Sequence, residues 1–244
     1  MAKRIETDAD KRVRACLAEK RSFALIAGAG SGKTSSLIDA LTVIRQTDGP
    51  VLRRNGQHVA CITYTKRAVE IIRQRLGFDE LYFVSTLHSF LWGQLAGFQD
   101  DIRRVLIEDR LPTLIAATEE KAAGKEHTKD GRRQREKADR LMEDLRALPG
   151  VPGFTYEDSD FSNYARGELG HPDIIEIAAY LLRTNAVFRK ITALRFPYIF
   201  VDEAQDTFKG IVAGLNLVCA GEGLPIVGYF GDPWQQIYDD RAGD

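Results

Sequence analysis

The chain has 244 residues, of which 44% are hydrophobic and 28% are charged. These values are ordinary for a globular protein and exclude collagen-like, low-complexity and wholly disordered chains. Lysine and arginine number 34 against 35 aspartate and glutamate, so the net charge is −1 and a polyanion site would depend on local clustering. The length predicts one or two domains.

The three cysteines lie far apart, and together with the four histidines they form neither a zinc-binding pattern nor a disulfide framework. We expect reduced thiols in or near the core. The charged amino terminus is unlike a signal peptide, and no stretch approaches the roughly 18 apolar residues that a membrane span needs. The sequence therefore predicts a soluble, cytoplasmic protein with no membrane partner.

Strands and helices alternate in the first third of the chain. The apolar run at residues 23–27 ends in a glycine-rich turn, and its continuity predicts a strand buried on both faces of a parallel sheet. Helical spacing follows from residue 33 to about 45, and Asp48-Gly49-Pro50 then breaks the chain. Further elements are a strand at 58–63, a helix at 66–76, a strand at 81–84 and another helix. This alternation predicts an α/β fold with a parallel sheet.

The pattern changes between residues 92 and 193, where helical periodicity and loops prevail and no buried strand is convincing. Strands resume at 198–201 and 225–230, with a helix near 208–220 between them. We therefore predict an α/β domain formed by residues 1–91 and 194–244. A mostly helical insertion, residues 92–193, interrupts it.

One segment of this insertion is rich in charge. Residues 121–146 carry nine lysines and arginines against six aspartates and glutamates. Such a segment can contact a phosphate backbone. It can equally be a solvated helix with interleaved ion pairs.

A phosphate-binding loop is indicated between the first strand and its helix. Small residues there let backbone N–H groups cradle phosphate oxygens, and the helix N-terminus adds positive charge. Lys33 would reach the β and γ phosphates, and the hydroxyl of Thr34 would bind Mg²⁺. A dinucleotide fingerprint is excluded, because its third glycine would fall on Lys33. The nucleotide-binding residues are Ala27, Gly28, Ala29, Gly30, Ser31, Gly32, Lys33 and Thr34.

Two acids follow the apolar strand at 198–201. A phosphate-binding loop needs a second Mg²⁺ carboxylate at the end of a neighbouring strand, and Asp202 is placed to supply it. Glu203 could orient and activate the attacking water as a general base. ATP and Mg²⁺ are therefore the expected cofactors.

Five ordered motifs resemble those of UvrD/Rep-like superfamily 1 DNA helicases. They are AGAGSGKT at 27–34, ITYTKRA at 62–68, TLHSF at 86–90, DEAQD at 202–206 and GDPWQQIY at 231–238. The resemblance implies a RecA-like first motor domain with an inserted helical subdomain. It also implies ATP hydrolysis coupled to movement along single-stranded DNA, in the 3′-to-5′ direction.

Further roles are implied by the same resemblance. Gln235 would sense the γ-phosphate and complete a catalytic set with Lys33, Asp202 and Glu203. Trp234 and Tyr238 lie beside it, where aromatic faces suit base stacking, although core packing is an equal alternative. For His88, a structural role is likewise an alternative. The DNA contacts implied are Tyr64, Thr65, Thr86, His88, Trp234 and Tyr238.

The chain departs from the family pattern near the phosphate-binding loop. Lys11 or Arg12 occupies the region where the family usually has an adenine-reading glutamine, and Ser35 stands where it usually has arginine. Recognition of the base is therefore open, and the site could accept GTP as well as the expected ATP.

The second RecA-like domain of the family, with its later arginine-bearing motifs, has no counterpart among these residues. We expect it to be supplied in cis or by a partner in trans, and expect this chain alone to bind ATP and Mg²⁺ with little turnover and no unwinding. The alternative is a non-motor module that binds nucleotide and DNA or docks on a partner subunit. A kinase or GTPase would leave DEAQD and GDPWQQIY unexplained.

Overall fold

The computed structural model of the protein describes residues 7–28, 32–125 and 127–232. Its strands are β1 (Phe23–Ile26), β2 (Val59–Thr63), β3 (Tyr82–Thr86), β4 (Thr155–Tyr156), β5 (Glu168–Leu169), β6 (Tyr198–Asp202) and β7 (Ile226–Gly231). Its helices are α1 (Asp8–Ala18), α2 (Lys33–Thr47), α3 (Gly49–Arg54), α4 (Lys66–Arg75), α5 (Leu87–Leu95), α6 (Gln99–Val105), α7 (Leu111–Ala122), α8 (Lys129–Ala147), α9 (His171–Thr184), α10 (Ala186–Arg195) and α11 (Lys209–Val218).

The described residues separate into two compact units. Unit 1 contains those up to Phe90 and those from Leu182 onward, and unit 2 contains Leu91–Leu181. The chain therefore passes from one unit to the other within α5 and within α9. The assignment of these parts to an ATP-binding domain and an inserted subdomain stays a prediction.

Unit 1 is built around a five-stranded sheet in the order β1-β7-β6-β2-β3. Every pairing in it is parallel. Strands β2 and β6 are buried along their whole length, because they lie inside the sheet and helices cover both of its faces. The prediction of an α/β fold with a parallel sheet and surrounding helices is confirmed.

Apolar side chains on the two faces of the sheet form the core of unit 1. On one face, α1, α2 and α4 pack their buried residues against alternate positions of the strands, as Leu41 and Ile72 illustrate. On the other, the ring of Phe196 lies 5.3 Å from that of Phe90 and 5.5 Å from that of Phe83. Burial of this apolar area is the main stabilising contribution.

The prediction that the first strand is buried on both faces is wrong. In the described sheet, β1 is the outermost strand beside β7, and its residues alternate between half-buried and exposed. Ile26 is 68% exposed. An apolar run of four residues cannot indicate whether a strand has neighbours on both sides.

Unit 2 is mostly helical, and α7 and α8 pack against each other. It also contains a small sheet that the sequence did not indicate, formed by the parallel strands β4 and β5. Each of these strands has two residues, too few for an alternating pattern to be seen. The side chain of Gln99 holds the loop before β4, accepting from Phe154 N at 2.7 Å and donating to Phe154 O at 3.2 Å.

A polar cluster fastens the amino-terminal edge of the sheet of unit 1. Lys20 Nζ donates to Asp48 Oδ2 at 2.7 Å, and the hydroxyl of Tyr198 donates to the same oxygen at 2.8 Å. Burial alone would raise the pKa of Asp48, but the bonds from Lys20, Tyr198 and Thr47 hold it below its usual range. The cluster joins the ends of α1 and α2 to the start of β6.

None of the described helices combines the length and the apolar character that crossing a membrane requires.

Candidate nucleotide-binding site

The predicted site residues of unit 1 converge because the sheet is parallel. Strands β1, β7, β6, β2 and β3 all end at the same edge, so the residues that follow them lie close together. The residues at or just after these strand ends are Ala27 and Gly28 for β1, Asp232 for β7, Asp202 and Glu203 for β6, Tyr64 and Thr65 for β2, and Thr86 and His88 for β3.

The loop between β1 and α2 is described at both of its ends. Ala27 N donates to Gly231 O at 3.1 Å, which ties the start of the loop to β7. At the other end, Gly32 adopts the left-handed conformation, with φ of 89°, and caps α2. A residue with a side chain would be strained there. Ala29, Gly30 and Ser31 lie outside the described residues.

Lys33 occupies the first turn of α2, and its side chain is only 8% exposed. Its ammonium donates to Ala27 O at 3.2 Å and lies 3.8 Å from Glu203 Oε2. The side chain therefore reaches back across the mouth of the loop towards β6. The ammonium of Lys33 is therefore buried at the mouth of the loop, and its predicted contact with the β and γ phosphates stays a prediction.

Asp202 ends β6, and its side chain is 4% exposed. One of its carboxylate oxygens, Oδ1, is buried without a hydrogen-bond partner among the described residues. Burial and the neighbouring charge of Glu203 raise the pKa of Asp202 to about 6, against the smaller opposing effects of the Glu203 backbone and Lys33. A buried carboxylate oxygen with no partner suits Mg²⁺, which prefers oxygen ligands.

Glu203 follows Asp202 in the left-handed conformation, with φ of 51° and ψ of 48°. Glutamate rarely adopts this conformation, and such strain is concentrated at functional sites. The turn brings the carboxylate of Glu203 back over the end of the sheet, towards Lys33. Glu203 is thus more accessible than Asp202.

A cleft of about 390 Å³ contains both acids. It extends from Thr34 at the start of α2 to the far end of α4, and Asp202 and Glu203 lie in its wall. Thr34, Asp202 and Glu203 could therefore contact a common ligand. Thr34 and Asp202 are the residues predicted to hold Mg²⁺. Two observations support this fit: both residues line the cleft, and Oδ1 of Asp202 has no hydrogen-bond partner among the described residues.

Gln205 is a site residue that the sequence reasoning missed. Its amide donates to Glu203 Oε2 at 2.9 Å, while its carbonyl oxygen accepts from Asp232 N at 2.9 Å. At Gly231, an added Cβ would stand 2.9 Å from that carbonyl oxygen, so glycine permits the close approach. The position of Gln205 inside DEAQD was the signal that could have found it.

The predicted DNA contacts at β2 and β3 also have local structural roles. Thr65 caps α4 by accepting from Ala68 N at 3.1 Å, and Thr86 donates to Ser89 Oγ at 2.9 Å in the first turn of α5. The hydroxyl of Tyr64 donates to Asp206 O. His88 is half-buried. Trp234, Gln235 and Tyr238 lie outside the described residues.

A family model described as an AAA domain matches residues 11–241, nearly the whole chain. The chain belongs to the AAA domain family. As an AAA domain it is a nucleotide-binding module, with a parallel α/β core of the phosphate-loop type.

A curated relative of this AAA domain is Gabija protein GajB from Bacillus cereus (strain HuB5-5). The two sequences are 23% identical over 88% of this chain and 41% of the relative. The chain therefore spans about two fifths of the length of that protein.

Proposed function

We propose that this AAA domain is the ATP-binding part of a UvrD/Rep-like superfamily 1 motor. The motor couples ATP hydrolysis to 3′-to-5′ movement along single-stranded DNA. The observation that carries the proposal is the convergence of Lys33, Asp202 and Glu203 at one edge of a parallel sheet, where DEAQD follows β6.

The side chains divide the work of binding. The ammonium of Lys33 faces the β and γ phosphates. Its hydrogen bond to Ala27 O already holds it in place, so the side chain needs little reorganisation when the nucleotide binds. Thr34 and Asp202 hold Mg²⁺, which when bound neutralises charge on the phosphate oxygens. The loop residues that follow Ala27, as far as Gly32, would cradle phosphate oxygens through their backbone N–H groups, while Ala27 N stays bonded to Gly231 O.

Glu203 then acts on the water. Its carboxylate accepts the proton of the attacking water as a general base, and the amide of Gln205 holds it in place. Gln205 also ties this carboxylate to the backbone of Asp232, three residues before the predicted phosphate sensor Gln235. A change at the γ-phosphate could thereby be transmitted between the ends of β6 and β7.

Single-stranded DNA is the proposed partner of this edge. Tyr64, Thr65, Thr86 and His88 follow β2 and β3, beside the two acids, so DNA contacts there would adjoin the nucleotide. In this proposal Trp234 and Tyr238 stack on bases. A second RecA-like domain, in cis or from a partner subunit, completes the track.

The test is ATP binding and hydrolysis with and without single-stranded DNA, for the chain and for Lys33→Ala. We expect Mg-ATP to bind, with slow turnover, and expect Lys33→Ala to lose both. Single-stranded DNA should change the affinity for nucleotide or the rate. If DNA changes neither, the chain is a nucleotide-binding module without motor coupling.

A further inference from the structure

Unit 2 contains a cleft of about 570 Å³ that is separate in sequence from every residue of the proposed nucleotide site. Its walls are formed by α8 and by the loop before the short helix Tyr164–Arg166, against which α8 packs. The lining residues are Arg133, Gln134, Glu136, Lys137, Arg140 and Phe161.

Three cations on α8 dominate the charge of this cleft. Arg133, Lys137 and Arg140 are spaced at i, i+4 and i+7, so they share one face of the helix over about 10 Å of its length. All three are exposed, and none forms an ion pair with any other part of the chain that the structure describes. Glu136 is the one carboxylate among the lining residues, so three positive charges stand against one negative charge there.

Phe161 supplies an aromatic wall opposite these cations. Its side chain is 84% exposed, more than any other large apolar side chain in the described ranges. A phenylalanine in water gives up the free energy that burial would yield. Because its ring lies beside these three cations, Phe161 offers a flat surface to a ligand that carries aromatic rings as well as negative charge.

Hydrogen bonds hold the backbone of the loop on both sides of Phe161. Phe161 N donates to Ser159 Oγ at 3.0 Å, and Gly170 N donates to Ser162 Oγ at 2.8 Å. Ser162 Oγ in turn donates to Asp173, which is buried and also accepts from Arg110 Nε at 2.6 Å. The backbone is therefore bonded on both sides of the exposed ring, which lowers the entropy lost when a ligand stacks on it.

We propose that this cleft is a second binding site for single-stranded nucleic acid. Arg133, Lys137 and Arg140 contact successive phosphates, and one base stacks on Phe161. Single-stranded nucleic acid carries both of the features that the cleft can recognise in every nucleotide, a phosphate charge and a flat base. The inference shares its class of ligand with the proposed motor function, but it requires neither ATP nor the edge of the sheet in unit 1.

The test is the binding of a fluorescent thymidine oligonucleotide of about 16 nucleotides to the whole chain without ATP, followed by anisotropy. One variant is Phe161→Ala. The other combines Arg133→Gln, Lys137→Gln and Arg140→Gln. The matched controls are Phe78→Ala, at a ring that is 72% exposed in unit 1, and the triple variant Lys121→Gln, Arg132→Gln and Arg146→Gln, which removes the same charge elsewhere on α7 and α8.

We expect Phe161→Ala to weaken binding by about 5- to 100-fold with little change in its salt dependence. The cleft triple variant should lower the slope of log affinity against log salt by about 2, since each phosphate contact contributes about 0.7. Both control variants should bind the oligonucleotide nearly as tightly as the unchanged chain, and with nearly the same salt dependence. Equal binding by the cleft variants and their controls would overturn the inference.

A second measurement locates the contact directly. Irradiation with an oligonucleotide containing 5-iododeoxyuridine should attach it to the peptide that contains Phe161. Adducts confined to other peptides would overturn the inference. Loss of binding in the cleft triple variant, with no effect of Phe161→Ala, would also overturn it, because that result would indicate a site for any polyanion. The Lys33→Ala variant separates this inference from the motor proposal. It should lose ATP binding, whereas its cleft should still bind DNA.

Discussion

The ammonium of Lys33 lies 3.8 Å from a carboxylate oxygen of Glu203. The two residues come from different elements, the first turn of α2 and the turn after β6. Their approach places the proposed phosphate ligand and the proposed base on the same side of the cleft. This pairing gives the two side chains distinct roles that mutation can separate.

Glu203→Gln should retain Mg-ATP binding, because the amide is nearly isosteric and Lys33 keeps its bond to Ala27 O. Hydrolysis should fall by about 10²- to 10⁴-fold, since the amide cannot accept the proton of water. Radiolabelled ATP, with the protein in excess, measures this residual hydrolysis. Glu70→Gln, at an exposed acid of α4, is the control. Loss of ATP binding would mean that Glu203 has a structural role.

Asp202→Asn should stabilise the protein without nucleotide at pH 7. The pKa of Asp202 is raised from 3.8 to about 6 in the folded state, so ionising it costs stability as the pH rises through this range. The amide avoids that cost, and we expect a gain of about 1–3 kcal/mol at pH 7. Urea unfolding at pH 4 and pH 7 measures the difference.

The gain should almost vanish at pH 4, where the proton is retained. The same variant should lose the additional thermal stabilisation that Mg²⁺ gives in the presence of ATP. A variant less stable than the unchanged chain at pH 7 would contradict the raised pKa.

Gln205→Leu should impair hydrolysis more than binding. The substitution keeps the bulk of the side chain but removes the bonds to Glu203 and to Asp232 N. We expect the rate to fall by about 10- to 100-fold through misplacement of Glu203, with ATP affinity nearly unchanged. Gln57→Leu, which removes an exposed amide bond to Leu194 O, is the matched control. If both variants keep the original rate, Gln205 does not position the base.

Asp48→Asn tests the polar cluster at the opposite edge of the sheet. The pKa of this carboxyl is lowered, so its contribution to stability is fully present above its unfolded pKa of 3.8 and is lost as the pH falls through its lower folded pKa. We expect a loss of about 1 kcal/mol at pH 7, given the partial exposure of Asp48, and a smaller loss at pH 3. Chemical unfolding at the two pH values checks this. An equal loss at both would mean that packing, and not charge, explains the effect.

Local patterns predicted much of the fold. The apolar runs that become β2, β6 and β7 were found to within a residue or so, because burial inside a parallel sheet demands continuous apolar residues. The end of α2 was placed about two residues early, since helix ends depend on capping and packing. The small sheet of β4 and β5 gave no periodic signal at all.

The residues of the proposed site also differ in whether the sequence could predict them. Lys33, Asp202 and Glu203 could be chosen because each follows a strand in a recognisable motif. The motif DEAQD contains Gln205, but the bridge that its side chain makes to Asp232 N depends on the register between β6 and β7, which the sequence does not show. Likewise, the sequence showed a basic segment, but only the fold selects Arg133, Lys137 and Arg140 and sets them beside Phe161.

The most direct test of the central claim is titration calorimetry of Mg-ATP into the chain and into Lys33→Ala, with the exposed Lys190→Ala of α10 as the control. The proposed site predicts one nucleotide per chain, with binding lost in Lys33→Ala and unchanged in Lys190→Ala. Equal affinity in all three proteins would contradict the assignment of Lys33 and its loop to the nucleotide phosphates.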